Sequence, residues 1–190
     1  MASGVRRVTD TVVASIALVL LAPFCLLVAT AILLEGGGGV VFTQTRVGRG
    51  GRRFRILKFR TMRPAGGGRP VDVPLRQRRD DPRCTQVGRL LRRTHLDELP
   101  QLLNVLAGDM TLIGPRPLVP EEDAIVSAAW AQRHDAVPGL TGEWQVMRSA
   151  RTDVDELIRF DRGYLAARSL RRDLAVLART VACVARGAGR

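Results

Sequence analysis

The run Thr11 to Leu34, TVVASIALVLLAPFCLLVATAILL, holds no charged residue. A helix needs about 20 apolar residues to cross the hydrocarbon of a bilayer, so this run is long enough to enter one. It is longer than the apolar stretch of a secretory leader, and no small-x-small cleavage site follows it before EGGGG at Glu35–Gly39. Arg6 and Arg7 lie ahead of it; Arg46, Arg49, Arg52, Arg53, Arg55, Lys58, Arg60 and Arg63 follow, with Glu35 the sole acid from Leu34 to Arg63. The positive-inside rule places both flanks on the cytoplasmic side. One straight crossing cannot do that. Pro23, near the middle, removes a backbone donor and kinks a helix, which favours a re-entrant helix-break-helix; Ser15 and Thr30 would satisfy part of the freed backbone. The alternative is a single crossing with a short N-terminal stub outside.

Beyond the apolar run, VVFTQTRVGRGGRRFRILKFRTM alternates as a short hairpin turning at VGRGG, anchored by Phe54, Ile56 and Phe59. Arg63–Arg83 is rich in Gly, Pro and charge and reads as a surface loop. Thr85 caps a helix carrying Val87, Leu90, Leu91 and Leu96. A second helix starts at Pro100, a residue tolerated at the first helical position, and stops at Gly108. After the Gly/Pro turn MTLIGPRPLVP comes a helix around EEDAIVSAAWAQRH. From Asp153 to Arg186 apolar residues recur at steps of three, four and seven opposite Arg168, Arg171, Arg172 and Arg179, as in basic amphipathic helices that lie among lipid headgroups or pack on a core. The fold class expected is an α-rich α+β protein, monotopic in the membrane, with a small β-hairpin and several short and amphipathic helices.

The chain of 190 residues has 30 Lys+Arg against 18 Asp+Glu, a formal charge of +12, so its partners are expected to be anionic. Aromatics are only 4% of residues, too few for the stacking platforms of single-stranded nucleic-acid binders. Cys25, Cys84 and Cys183 have neither the number nor the spacing of a disulfide framework or a zinc site. Against this basic background RRTHLDELPQLLNVLAGDM, Arg92–Met110, sets Asp97 and Glu98 just outside a helix N-terminus, where the dipole favours carboxylates. A plain helix cap is the simplest reading. Arg92, Arg93 and Arg116 nearby suggest another: acid and arginine gathered around a phosphate, bridged by a divalent metal, with an Asp able to attack phosphorus itself. Lys58 is the only lysine in the chain, a compact charge where every other basic residue is a fork.

ILKFRTM, HLDELPQLLNVLAGDMTLIGPRP and VPGLTGEWQV together resemble the signatures of the bacterial sugar transferase family, the monotopic polyprenyl-phosphate phosphoglycosyl transferases, from about Arg6 to the C-terminus. The resemblance implies a minimal catalytic unit, residues 1–36 as a re-entrant membrane anchor and 37–190 as a cytosolic catalytic domain with interfacial amphipathic helices, on the cytoplasmic face of the bacterial inner membrane. It implies transfer of a sugar-1-phosphate from a UDP-sugar to a polyprenyl phosphate with Mg²⁺, the first step of exopolysaccharide, capsule, O-antigen or glycoprotein glycan assembly. Asp97 would be the nucleophile, expelling UMP and holding a covalent phosphosugar. Glu98 would help to hold metal, together with Asp97, or handle a proton. Lys58, Arg60, Arg92, Arg116 and, more weakly matched, Arg148 would bind phosphate. Partners expected are the donor, the acceptor and a phospholipid membrane, not nucleic acid, with a homodimer left open. The chain departs from the family pattern at Ala22-Pro23, where a serine is common before the proline, at His95, at EGGGG and at EWQVMRSAR. A catalytically inactive basic scaffold on anionic lipid or nucleic acid would explain the charge and the anchor, but not the two acids.

Overall fold

A computed structural model describes residues 3–36, 38–63, 81–147 and 154–186. Helix α1 (Ser3–Glu35) is a single element with Pro23 inside it. The expected break at Pro23 is therefore not an interruption of the helix; the proline deletes one donor, and the backbone on both sides stays helical. One stripe of α1 faces the rest of the chain: Asp10, Ala14, Val28 and Ile32 are buried, with Ala17, Leu18 and Cys25 packed beside them. Elsewhere its apolar side chains point outward, Val19 at 74%, Leu20 at 73% and Leu34 at 83% exposure. A water-soluble fold does not leave an apolar face of that extent open without a function for it.

The hairpin forms as its alternation requires. β1 (Val41–Val47) pairs antiparallel with β2 (Arg53–Phe59), Val41 opposite Phe59 and Val47 opposite Arg53. Glycines at the tip supply the left-handed backbone of the turn, with φ +64° at Gly50 and +73° at Gly51. α2 (Gln86–Thr94) starts at Thr85, whose hydroxyl accepts from the Gly88 amide at 2.9 Å. A short 3₁₀ turn, Leu96–Glu98, leads through Leu99 and Pro100 into α3 (Gln101–Ala107), which stops at Gly108 with φ +90°. β3 (Thr111–Ile113) and β4 (Gly139–Thr141) form a parallel pair joined through α4 (Pro120–Ala129). α5 (Glu143–Met147), α6 (Val154–Ala166) and α7 (Leu170–Ala185) complete the described chain.

Four small apolar clusters share the core. Ala14 of α1 meets Ile56, Leu102, Val105 and Met110; farther along α1, Val28 and Ile32 meet Phe59 and Leu91. The other two lie around Trp144 and around Tyr164. α7 divides its face. Val176 and Asp173 are buried, whereas Leu170, Leu174 and Val181 stand at 57% exposure or more, so packing on this chain's own core does not account for that stripe.

What fixes α3 against the hairpin is Asn104. It is buried, and its carboxamide accepts from the Leu57 amide at 3.0 Å and donates to the Arg55 carbonyl at 2.8 Å. One side chain thus closes part of the open edge of β2. Asn104→Ala leaves a donor and an acceptor of β2 unpaired in the core, each costing about 1–3 kcal/mol. The expected outcome is a clear fall in the thermal-unfolding midpoint, read by circular dichroism in detergent.

Candidate active site

The turn between α2 and α3 carries the two acids. α2 ends because His95 takes φ +57°, the only positive φ of a non-glycine residue in the described chain. That left-handed residue reverses the backbone, and its carbonyl accepts from the Glu98 amide at 3.2 Å. Asp97 and Glu98 follow in the 3₁₀ turn just before α3, where the sequence places them.

Lys58, from β2, reaches across the seam between β2 and α3. Its ammonium lies 2.6 Å from Glu98 Oε1, each side chain only 19% exposed. The two carboxylates answer this neighbourhood in opposite ways. Burial pushes the Asp97 carboxyl well above the ordinary aspartate range; Glu98 adds to that, while Lys58 and Arg92 pull it back in part. Burial would raise Glu98 too, but the Lys58 ammonium, its hydrogen bond and Arg116 outweigh it and hold Glu98 well below the usual range. One acid is thus a fixed anion and the other an ionisable group poised nearer neutrality, the kind of split that marks functional carboxylate pairs. No side chain among the described residues hydrogen-bonds Asp97, whose recorded bond is to its own backbone amide.

The other residues singled out in the sequence fall into three groups. Arg92 and Arg116 lie within electrostatic reach of the acids, Arg92 of Asp97 and Arg116 of Glu98. Arg92 also contacts the Cys84 sulfur at 3.2 Å, and the Arg116 guanidinium lies over the Trp144 ring, 5.2 Å from its centroid. Arg60 leaves the end of β2 with its guanidinium beside Gly39, and its amide bonds the Val40 carbonyl. Arg148 lies outside the described residues.

Sequence reasoning missed what holds Arg116. Arg133 is 4% exposed, donates to the Arg116 carbonyl, and ion-pairs with Asp161 at 3.4 Å and Asp123 at 3.6 Å. His134 bonds Asp123 at 2.9 Å. Arg46 is also buried beside this loop, bonded to the Pro117 carbonyl at 3.2 Å. Neither arginine was legible, because a buried arginine in a chain with 29 of them looks like any other.

Among the described residues no group of three or more His, Cys, Asp and Glu side chains gathers as a metal cage. The dyad still fits a hard cation of the Mg²⁺ type, which binds through one or two carboxylates and takes its remaining oxygens from substrate phosphate and water.

Comparison with known proteins is direct. Residues 1–187 match the bacterial sugar transferase family. The chain is 49% identical over 185 residues to the UDP-glucose:undecaprenyl-phosphate glucose-1-phosphate transferase of Caulobacter vibrioides, an alignment covering 93% of this chain and 68% of that protein. It is 38% identical to the exopolysaccharide production protein ExoY of Sinorhizobium fredii, over 96% of this chain and 87% of the relative. With the Escherichia coli UDP-glucose:undecaprenyl-phosphate glucose-1-phosphate transferase it shares 36% identity, over 93% of this chain and 39% of the longer relative. The chain belongs to the bacterial sugar transferase family and is an enzyme of that transferase class.

The pH dependence follows from the dyad. Chemistry that needs ionised Asp97 rises with pH through a carboxyl whose pKa is already raised, then levels off. Lys58 lowers the pKa of both acids, so Lys58→Met moves the acid limb of the turnover profile to higher pH. An acid limb that stays in place in that variant would remove Lys58 from the electrostatics of the site.

Proposed function

We propose that this enzyme transfers a sugar-1-phosphate from a UDP-sugar to a polyprenyl phosphate, undecaprenyl or decaprenyl, and releases UMP in a ping-pong reaction that starts a membrane-linked glycan. The observation that carries this reading is the dyad: an Asp without a side-chain partner beside a Glu held ionised by Lys58, between Arg92 and Arg116. The names of the relatives support the substrate class. An inert scaffold would have no use for two acids kept so differently in a basic pocket.

In the first step an Asp97 carboxylate oxygen attacks the sugar-bearing phosphorus of the donor. The bond from that phosphorus to the UMP oxygen breaks, UMP leaves with the electron pair, and an aspartyl phosphosugar remains. Burial that raises the Asp97 pKa also strips solvation from the carboxylate, which makes it a better nucleophile once ionised. In the second step an oxygen of the polyprenyl phosphate attacks the same phosphorus and Asp97 departs as a carboxylate. Glu98, held far below neutral pH by Lys58, is a poor proton acceptor. Its part is that of a fixed anion, with Asp97 a ligand for Mg²⁺, which when bound would neutralise phosphate charge. Arg92 and Arg116 would present guanidinium forks to phosphate oxygens, with Lys58 beside them and Arg60 added by the family resemblance.

The acceptor requires a membrane, and α1 supplies the anchor. Its first turns and its last residue both hold the same folded body: Arg6 donates to the Ile113 carbonyl at 2.7 Å, and Glu35 accepts from the Val87 amide at 3.1 Å. A straight helix of this length would span roughly 50 Å and, crossing a bilayer, would leave its ends on opposite sides. Ends held by one body support a re-entrant, monotopic arrangement on the cytoplasmic face, with the outward stripe of α7 at the interface.

Intact-protein mass spectrometry with Mg²⁺ and a panel of UDP-sugars, without acceptor, should show a sugar-phosphate adduct on Asp97 that polyprenyl phosphate discharges and Asp97→Asn abolishes. Turnover without any adduct would remove Asp97 as nucleophile. Single cysteines at positions 4 and 38 should both react with an impermeant maleimide from the cytoplasmic side; labelling from opposite sides would establish a crossing.

A further inference from the structure

We propose that Arg46 is a phosphate-binding residue of the active site, paired with Arg116 as two guanidinium groups that take one phosphate of a substrate. The proposal rests on the transferase reading above.

Arg46 lies near the end of β1, opposite Phe54 of β2, and is 9% exposed. Its two recorded partners are both neutral: Nη1 donates to the Pro117 carbonyl at 3.2 Å and Nη2 to Gln44 Oε1 at 2.7 Å. Its Nε is buried and has no partner. No ion pair within 4.0 Å joins it to a carboxylate among the described residues; Glu98, Glu121 and Glu122 act on it only at longer range. The adjacent charge is Arg116, of the same sign. Burial and Arg116 together push the Arg46 pKa down to about 10, which still leaves it protonated at neutral pH with its charge poorly compensated.

Arg133 provides the internal comparison. It is as deeply buried and near the same loop, yet it has two carboxylates, Asp123 and Asp161. The fold can neutralise a buried arginine and does so there. At Arg46 it supplies a carbonyl and a carboxamide, which orient the fork without cancelling the charge. A buried cation left in that state is costly unless an anion completes it. The position of Arg46 identifies the anion. It is bonded to Pro117, next to Arg116, which is in turn within reach of Glu98. Forked guanidinium groups match phosphate oxygens better than any other common anion at such a site. The donor diphosphate and the lipid monophosphate both offer this chemistry.

The test compares wild type, Arg46→Met and Arg46→Lys in detergent at constant ionic strength. Thermal unfolding is titrated with inorganic phosphate, and the two half-reactions are then followed separately, adduct formation against UDP-sugar and adduct discharge against polyprenyl phosphate. Loss of a charge-assisted bond predicts a roughly ten- to hundred-fold weaker phosphate response in Arg46→Met. Arg46→Lys, which keeps the buried charge but not the fork, should fall between the two and carries the test if the methionine variant does not fold. The KM that rises with it, for the donor or for the acceptor, identifies which phosphate Arg46 holds. An unchanged phosphate response with both KM values unchanged, and only a lower melting temperature, would reduce Arg46 to a clamp on the Pro117 loop and overturn the proposal. If wild type makes neither adduct nor product with any donor, the transferase reading fails, and the phosphate titration still decides for or against Arg46.

Discussion

The open edge of β2 is closed by a side chain, and the site depends on that substitution. A two-stranded hairpin leaves unpaired backbone groups on its outer edges, and a protein must cover them or leave them to water. Here Asn104 bonds Arg55 and Leu57 on one strand edge, which brings α3 alongside β2. Further up the same seam Lys58 meets Glu98. The distance between lysine and dyad is thus set by backbone hydrogen bonds made by a residue two turns away, and not by the flexible lysine chain alone.

The basic composition hides how the acids are used. The buried ones hold the fold together: Asp10 accepts from Thr111 at 2.5 Å, Asp173 from Tyr164, and Asp123 and Asp161 pair with Arg133; the half-buried Glu143 pairs with Arg172. Each is matched to a cation or donor, Asp10 and Glu143 to ones from distant parts of the chain. Asp97 stands apart from them, since its neighbours act through charge and none bonds it. A net charge of +12 thus surrounds the two acids with cations, Lys58, Arg92 and Arg116, that act on them mainly through charge.

Much of this could be read from the sequence, and the limits have physical causes. The hairpin, the Thr85 cap, the start of α3 beside Pro100 and its stop at Gly108 are local events, determined by residues within a turn of one another. The dyad was legible because two acids before a proline are conspicuous in a basic chain. Arg46, Arg133 and the Asp123–His134 contact were not, because burial of a polar side chain depends on which loop folds over it. Pro23 misled in the other direction: a proline costs a helix one hydrogen bond and some straightness, and an apolar helix packed along a body can bear that cost without ending.

The long apolar helix α1 is tied to both helices that flank the dyad turn. Near its start, Arg7 donates to the carbonyls of Val105 and Leu106, the last turn of α3. At its end, Glu35 accepts from the amides of Gln86 and Val87, the first turn of α2. Charged side chains at helix ends of the opposite sign are favourable in both places. The dyad turn is the short segment between α2 and α3. The two ends of α1 therefore grip the far ends of the two helices whose near ends hold Asp97 and Glu98. A helix whose apolar side is so exposed is thus tied by charged residues at both ends to the two helices that flank the dyad turn.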